Sequence, residues 1–244
     1  NGREMMVTRT IPCLSFIFLM LLLVTAQAKD LVVVASTVPV FKLGQILEAS
    51  ASLDIPAGKS VTLASKSGKM VRIKGPHNGP SGMADDGIKE PSLITALSRL
   101  LSGPVGKKTA IGAMRSGRGL AHTDPWVIDT GNREKIYCIQ EGGQTLFWRS
   151  NHAKTTILTL ESLKEKNKVV VVWPRSTRTL TWPPKIPLLD GAEYRSHLKG
   201  KRRKKKFILH LVPSGLPTNA HRAVWMAKKG CVTQAKRLLA WEKH

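Results

Sequence analysis

Apolar and polar positions alternate along this chain in blocks of different period. An apolar stretch from Cys13 to Val24 comes first, behind a basic start with Arg3 and Arg9, and ends at the small residues of Ala26-Gln27-Ala28. That order reads as a secretory signal peptide over residues 1–28, cut after Ala28, with Ala26 and Ala28 as the cleavage-site residues. The stretch is shorter than the roughly 20 residues a membrane-spanning helix needs, so an uncleaved anchor is the weaker reading. Met5 and Met6 stand just ahead of it, so the residues before them read as an upstream extension.

From Leu31 the period becomes that of strands. Leu31 to Ser36 is a β-branched run, which Val38 to Leu43 continues around Pro39. Three short alternating segments follow, Ala51 to Ile55, Ser60 to Leu63 and Lys69 to Ile73. Pro56-Ala57-Gly58-Lys59 and Ser65-Lys66-Ser67-Gly68 join them and have turn composition. These residues predict a small all-β module over 29–80.

Residues 81–130 change character. Leu93, Leu97, Leu100 and Leu101 have helical spacing within Ser92 to Leu101, and Gly103 to Gly119 is rich in glycine and basic residues, so a helix and a connector are expected. A second β module, 131–212, contains seven strand candidates: Lys135 to Gln140, Gln144 to Arg149, Thr155 to Leu160, Val169 to Trp173, Thr177 to Trp182, Glu193 to Leu198 and Phe207 to Val212. Their spacing of about ten residues suits a sandwich or barrel. Residues 213–244 close the chain with two helical stretches, Asn219 to Lys228 and Val232 to Glu242, Gly230 stopping the first. The expected fold is therefore mainly β, with a C-terminal helical hairpin.

One part of this pattern resembles a known family. Gly44-Gln45-Ile46-Leu47, then Leu53-x-Ile55-Pro56-Ala57-Gly58-x-x-Val61-Thr62-Leu63, then Gly68-Lys69-x-Val71-x-Ile73-x-Gly75-Pro76 is similar to the β-rich periplasmic domain of the FecR family, sensor-regulators of iron-citrate uptake. Residues 31–80 carry the resemblance, about a fifth of the chain. FecR regulators place a cytoplasmic segment and a membrane span ahead of this domain, whereas a cleavable signal is read here. The resemblance thus implies an envelope protein with a small β module, and sigma-factor regulation does not carry over.

Charge narrows the partners. Lys and Arg number 39 against 16 Asp and Glu, a formal charge of +23. Loss of residues 1–28 removes Arg3, Arg9 and Glu4 and alters it by one. Such a balance favours anionic partners: a phosphorylated envelope glycolipid, an acidic membrane or polymer, or, less favoured, nucleic acid. The hydrophobic content of 42% is that of a folded protein. Removal of Cys13 with the signal leaves Cys138 and Cys231, an even pair that reads as a disulfide in an oxidising compartment. A periplasmic or secreted location is expected, with no transmembrane segment after cleavage.

Chemistry-bearing motifs are sparse. Gly103-Pro104-Val105-Gly106-Lys107-Lys108-Thr109 fails as a phosphate-binding loop, because only two residues separate its glycines and Thr does not follow the first Lys. The seven histidines lack zinc spacing, no nucleophile elbow occurs, and Asp85-Asp86 reads as a solvated turn. We therefore expect no metal, no cofactor and no catalysis, an unrecognised hydrolase being the alternative. Trp148, Trp173 and Trp182, near the ends of successive strand candidates, read as core rather than as a stacking row for sugars or bases. The most unusual segment is Lys199-Gly200-Lys201-Arg202-Arg203-Lys204-Lys205-Lys206, where all but Gly200 are basic. It is either a solvated hairpin tip or an anion-binding finger, with Lys199, Lys201, Arg202, Arg203, Lys204, Lys205 and Lys206 as its contacts. The function expected is that of an exported binding or assembly module, its partner another envelope protein or an anionic envelope surface.

Overall fold

A computed structural model describes residue 2 and residues 30–83, 88–103 and 122–241. Residues 3–29, with Ala26 and Ala28 of the expected signal segment, lie outside these residues, as do Asp85-Asp86, most of the glycine-rich connector and Glu242. Strands outweigh helices, as the sequence pattern predicts, and the C-terminal helical pair is present.

The first β unit pairs four strands in the order β2-β1-β4-β5: β1 (Asp30–Ser36), β2 (Ile46–Glu48), β4 (Ser60–Ala64) and β5 (Met70–Lys74). A two-stranded ribbon of β3 (Leu53–Ile55) and β6 (His77–Gly79) accompanies it. The unbroken apolar run of β1 follows from burial on both faces: Leu31 and Val33 pack with Leu53, Ile55, Val61 and Leu63, while Val32 and Val34 face the helices. Val38 to Leu43 is not the continuation expected. The chain turns there, with Val40 exposed at 67%, and returns to β1 through Gly44 at φ +80°. The Gly44 N–H donates to Val33 O at 2.8 Å, and a Cβ at this position would lie 2.3 Å from Ser102 Oγ.

The helices form the middle layer. The periodic leucines produce α1 (Pro91–Ser102), whose Leu93, Ile94, Leu97, Leu100 and Leu101 are buried. It packs on β1 and on α2 (Asn219–Lys228) and α3 (Val232–Ala240). Thr218 caps α2, its Oγ1 accepting from the His221 N–H. This helical core also takes in Trp126, Cys138 and Val212 from the second β unit.

That second unit is a sandwich of two sheets. Five strands run in the order β11-β10-β13-β14-β8: β8 (Ile136–Gln140), β10 (Thr156–Ser162), β11 (Lys168–Trp173), β13 (Ala192–Leu198) and β14 (Lys205–Val212). Three more run β12-β9-β7: β7 (Val127–Asp129), β9 (Leu146–Trp148) and β12 (Thr179–Thr181). Between the sheets lie Tyr137, Phe147, Leu158, Leu160, Trp173, Trp182, Tyr194 and Phe207. Trp148, Trp173 and Trp182 are at most 8% exposed, core residues as expected. Two pairings, β14 with β8 and β7 with β9, are parallel, and the first joins segments far apart in sequence.

Cys138 of β8 and Cys231, at the N-cap of α3, form a disulfide across 93 positions, with Cα atoms 6.0 Å apart. Gln234 reinforces this junction. Buried to 1% exposure, its Oε1 accepts from the Cys138 N–H at 2.8 Å and its Nε2 donates to Cys138 O at 2.9 Å and Pro125 O at 2.7 Å. Its side-chain amide thus takes the place of a neighbouring strand at the β8 edge.

Candidate anion-binding surface

The basic run is the turn between β13 and β14. The Lys199 N–H donates to Ile157 O at 2.9 Å, the Lys201 N–H donates to Leu198 O at 3.0 Å, and His197 Nε2 meets Lys201 O at 2.9 Å. Gly200, at φ +85°, makes the turn where a side chain would be strained. Lys199, Lys201, Arg202, Arg203 and Lys204 are exposed, and the turn holds no acidic residue.

The last two lysines behave differently. Lys205 lies opposite Ser196 on the inward face that β14 continues with Phe207 and Leu209. Its Nζ donates to Asp129 O at 2.7 Å, to Asn132 Oδ1 at 2.8 Å and to the Tyr137 hydroxyl. Burial pulls its pKa down to about 8, against the opposing field of Asp129 and Glu134, and pushes the Tyr137 phenol up. Lys205 is therefore not one of the finger's contacts: its ammonium pins the hairpin base to the loop after β7. Lys206 is exposed, yet its Nζ lies 2.8 Å from Glu193 on β13, so the run is not wholly without a carboxylate. Exposed pairs of this kind contribute about 0–1 kcal/mol.

A cleft of about 350 Å3 opens beside the turn, where the ends of β9 and β13 meet the start of β10. Lys199 and Lys201 line it with Lys154, Arg149, Thr155 and Thr156; no Asp or Glu is among its lining residues, and Asp129 stands beside it, its Oδ1 accepting from the N–H of the lining Gly131 at 2.7 Å. Arg149 shapes the cleft. It follows Trp148 directly, is 5% exposed, and stacks its guanidinium 4.8 Å from the Trp173 ring centroid. Its Nε donates to Thr177 O at 3.2 Å, Nη1 to Lys154 O at 3.1 Å and Nη2 to Pro174 O. Three carbonyls on two loops are thereby gathered on one cation. Burial lowers the Arg149 pKa from its usual value, but an Arg stays charged, and none of these partners neutralises it.

The cleft thus sets four cations around polar side chains, with the exposed turn beside them. Such a constellation attracts phosphate, sulfate or carboxylate groups. Sequence reading found Lys199 and Lys201 but missed Arg149 and Lys154. The available signal was an Arg closing the apolar segment Leu146-Phe147-Trp148. Among the described residues no three of His, Cys, Asp and Glu converge to hold a metal ion, and no helix is long and apolar enough to cross a membrane.

Comparison with protein-family models gives no match for this chain. A search of curated proteins likewise gives no significant relative.

Proposed function

We propose that this protein is an exported, non-catalytic binding module of the cell envelope, and that its ligand is a polyanionic surface engaged by the β13–β14 turn and the adjoining cleft. The observation that carries the reading is the grouping of Arg149, Lys154, Lys199 and Lys201 around one cleft that no Asp or Glu lines among the described residues, next to Arg202, Arg203 and Lys204. These like charges repel one another, and an anionic partner relieves that repulsion. An envelope setting is supported by the leader-like residues 1–28, by the disulfide and by the resemblance of residues 31–80 to the FecR periplasmic domain. Burial of Trp148, Trp173 and Trp182 removes the aromatic row that favoured stacked bases or sugar rings, so a surface of phosphate or sulfate groups is the better ligand.

The test replaces Lys199, Lys201, Arg202 and Arg203 with Ser, leaving Lys205 and Lys206 in place. Each cation at a negative lipid surface contributes about 1 kcal/mol, so the variant should bind anionic vesicles roughly a thousandfold more weakly at low salt. Parental binding should itself fade as salt rises. Equal retention of variant and parent, with both folded by circular dichroism, overturns the proposal.

A further inference from the structure

The two edges of the five-stranded sheet are treated differently. At β8 the outward N–H and C=O of Cys138 are taken by Gln234, with the disulfide beside them. At β11, Lys-Val-Val-Val-Val-Trp, no strand pairs with the outer side among the described residues. The phase of the ladder follows from the bond of the Ser162 N–H to Asn167 O at 3.0 Å. With Leu160 opposite Val169 and Leu158 opposite Val171, those valines bond to β10, and Lys168, Val170 and Val172 turn their backbone groups outward.

The same three positions present their side chains on the open face. Val170 is 61% and Val172 60% exposed, and Val172 lies opposite half-buried Ile157, so an apolar stripe borders the unpaired backbone. Natural edge strands are commonly blunted by a central charge, a proline or a bulge, and β11 has none of these within Val169 to Val172. Charge brackets the stripe. Lys164, Lys166 and Lys168 are exposed at one end, with Glu165 the single acid of that turn, and Arg175 is exposed at the other.

From this geometry we infer that β11 is a strand-addition site for an extended segment of a partner protein that is acidic at both ends and β-branched at alternate positions between them. The backbone ladder supplies affinity, the Val170–Val172 stripe sets the phase, and the basic ends select the charge. A second copy fits less well. Antiparallel pairing about Val170 sets the lysine-bearing turn of each copy beside Arg175 of the other, in two chains that each carry strong positive charge. This inference rests on the β11 edge and not on the polyanion surface of the β13–β14 turn and its cleft, although Arg175 borders that cleft, its N–H donating to the lining Thr155 Oγ1 at 3.2 Å.

The probe is a seven-residue peptide with Asp at each end and Val at alternate inner positions, read by fluorescence anisotropy on the full chain. Saturable binding is expected, with the amides of Val170 and Val172 slowed in hydrogen exchange. N-methylation of the peptide's edge-facing amides should weaken it roughly tenfold, and Val170→Pro, which removes an outward N–H at a position where an edge strand tolerates proline, should do the same. If Val170→Pro does not fold, the N-methylated peptide decides on the unaltered protein. Serine substitution of Lys199, Lys201, Arg202 and Arg203 should leave peptide affinity unchanged, which separates this site from the polyanion surface. Equal binding by a lysine-ended peptide, indifference to N-methylation, or a dimer abolished by Val170→Pro overturns the inference.

Discussion

Removing the Cys138–Cys231 bridge by the double change Cys138→Ala, Cys231→Ala should weaken the fold strongly at the sheet–helix junction. Both residues are at most 2% exposed, and Ala leaves no thiol or hydroxyl to satisfy. The bridge closes a loop of 93 positions, for which the chain-entropy relation gives between about 4 and 5 kcal/mol at 25 °C. With a urea m-value of about 3 kcal/mol/M, a loss of that size moves the unfolding midpoint down by roughly 1.5 M. The m-value itself should rise, because the freed unfolded chain exposes more surface. Locally, α3 loses its covalent tie to β8 and keeps Gln234 and the packing of Ala235, Leu238 and Leu239. Amides of Val232 to Ala240 should therefore exchange faster than those of β10 and β13. A midpoint shift below about 0.3 M, or α3 amides as protected as in the parent, refutes the reasoning.

Two further outcomes follow from buried polar groups. Gln234→Leu keeps the volume but strips partners from the Cys138 N–H, Cys138 O and Pro125 O; at about 1 kcal/mol or more for each orphaned group, a loss of roughly 3 kcal/mol is expected in urea unfolding. Burial first and the Arg237 charge second lower the His122 pKa, against the opposing effects of Asp124 O, Asp129 and Glu134; Nδ1 donates to Asp124 O and Nε2 accepts from Arg237 at 3.1 Å. A lowered folded pKa means that the unfolded chain takes up its proton first. Stability should therefore fall as pH drops from about 6.5 through the folded pKa, and His122→Gln should flatten that part of a melting-temperature profile.

Strands long enough to alternate were legible in the sequence. β10 and β13 carry a run of buried positions at every second residue, as β14 does at Phe207 and Leu209, and the heptad-like leucines of α1 were equally plain. Three-residue strands such as β2, β6 and β7 hold too few positions to show a period, and the parallel pairing of β8 with β14 is set by packing between distant segments. Val38 to Leu43 misled because its composition matches the strand before it, although Pro39 and Gly44 both mark a turn. In the basic run, composition concealed phase. Phe207 and Leu209 face inward, and counting back by two places Lys205 on the same face, an inference that a block of like charges discourages.

That inward lysine bears on how the turn beyond it acts. A free basic tail loses backbone and side-chain freedom when it settles on a surface, at a cost of order 1 kcal/mol or more per residue fixed. Here the β13–β14 ladder holds both sides of the turn, and Lys205 ties its base to Asp129 and Asn132, so the backbone is ordered before any ligand arrives. Arg149 does the same for the opposite wall of the cleft, joining the loops at Lys154 and Pro174. Neither buried cation touches a carboxylate through these bonds, and the charge of each adds to that of the exposed residues. A surface built this way combines long-range attraction from the exposed lysines and arginines with fixed spacing from the buried ones. Loss of an exposed cation should accordingly slow association and reduce its salt dependence. Loss of a buried one should loosen the turn or the cleft and so shorten the lifetime of the complex.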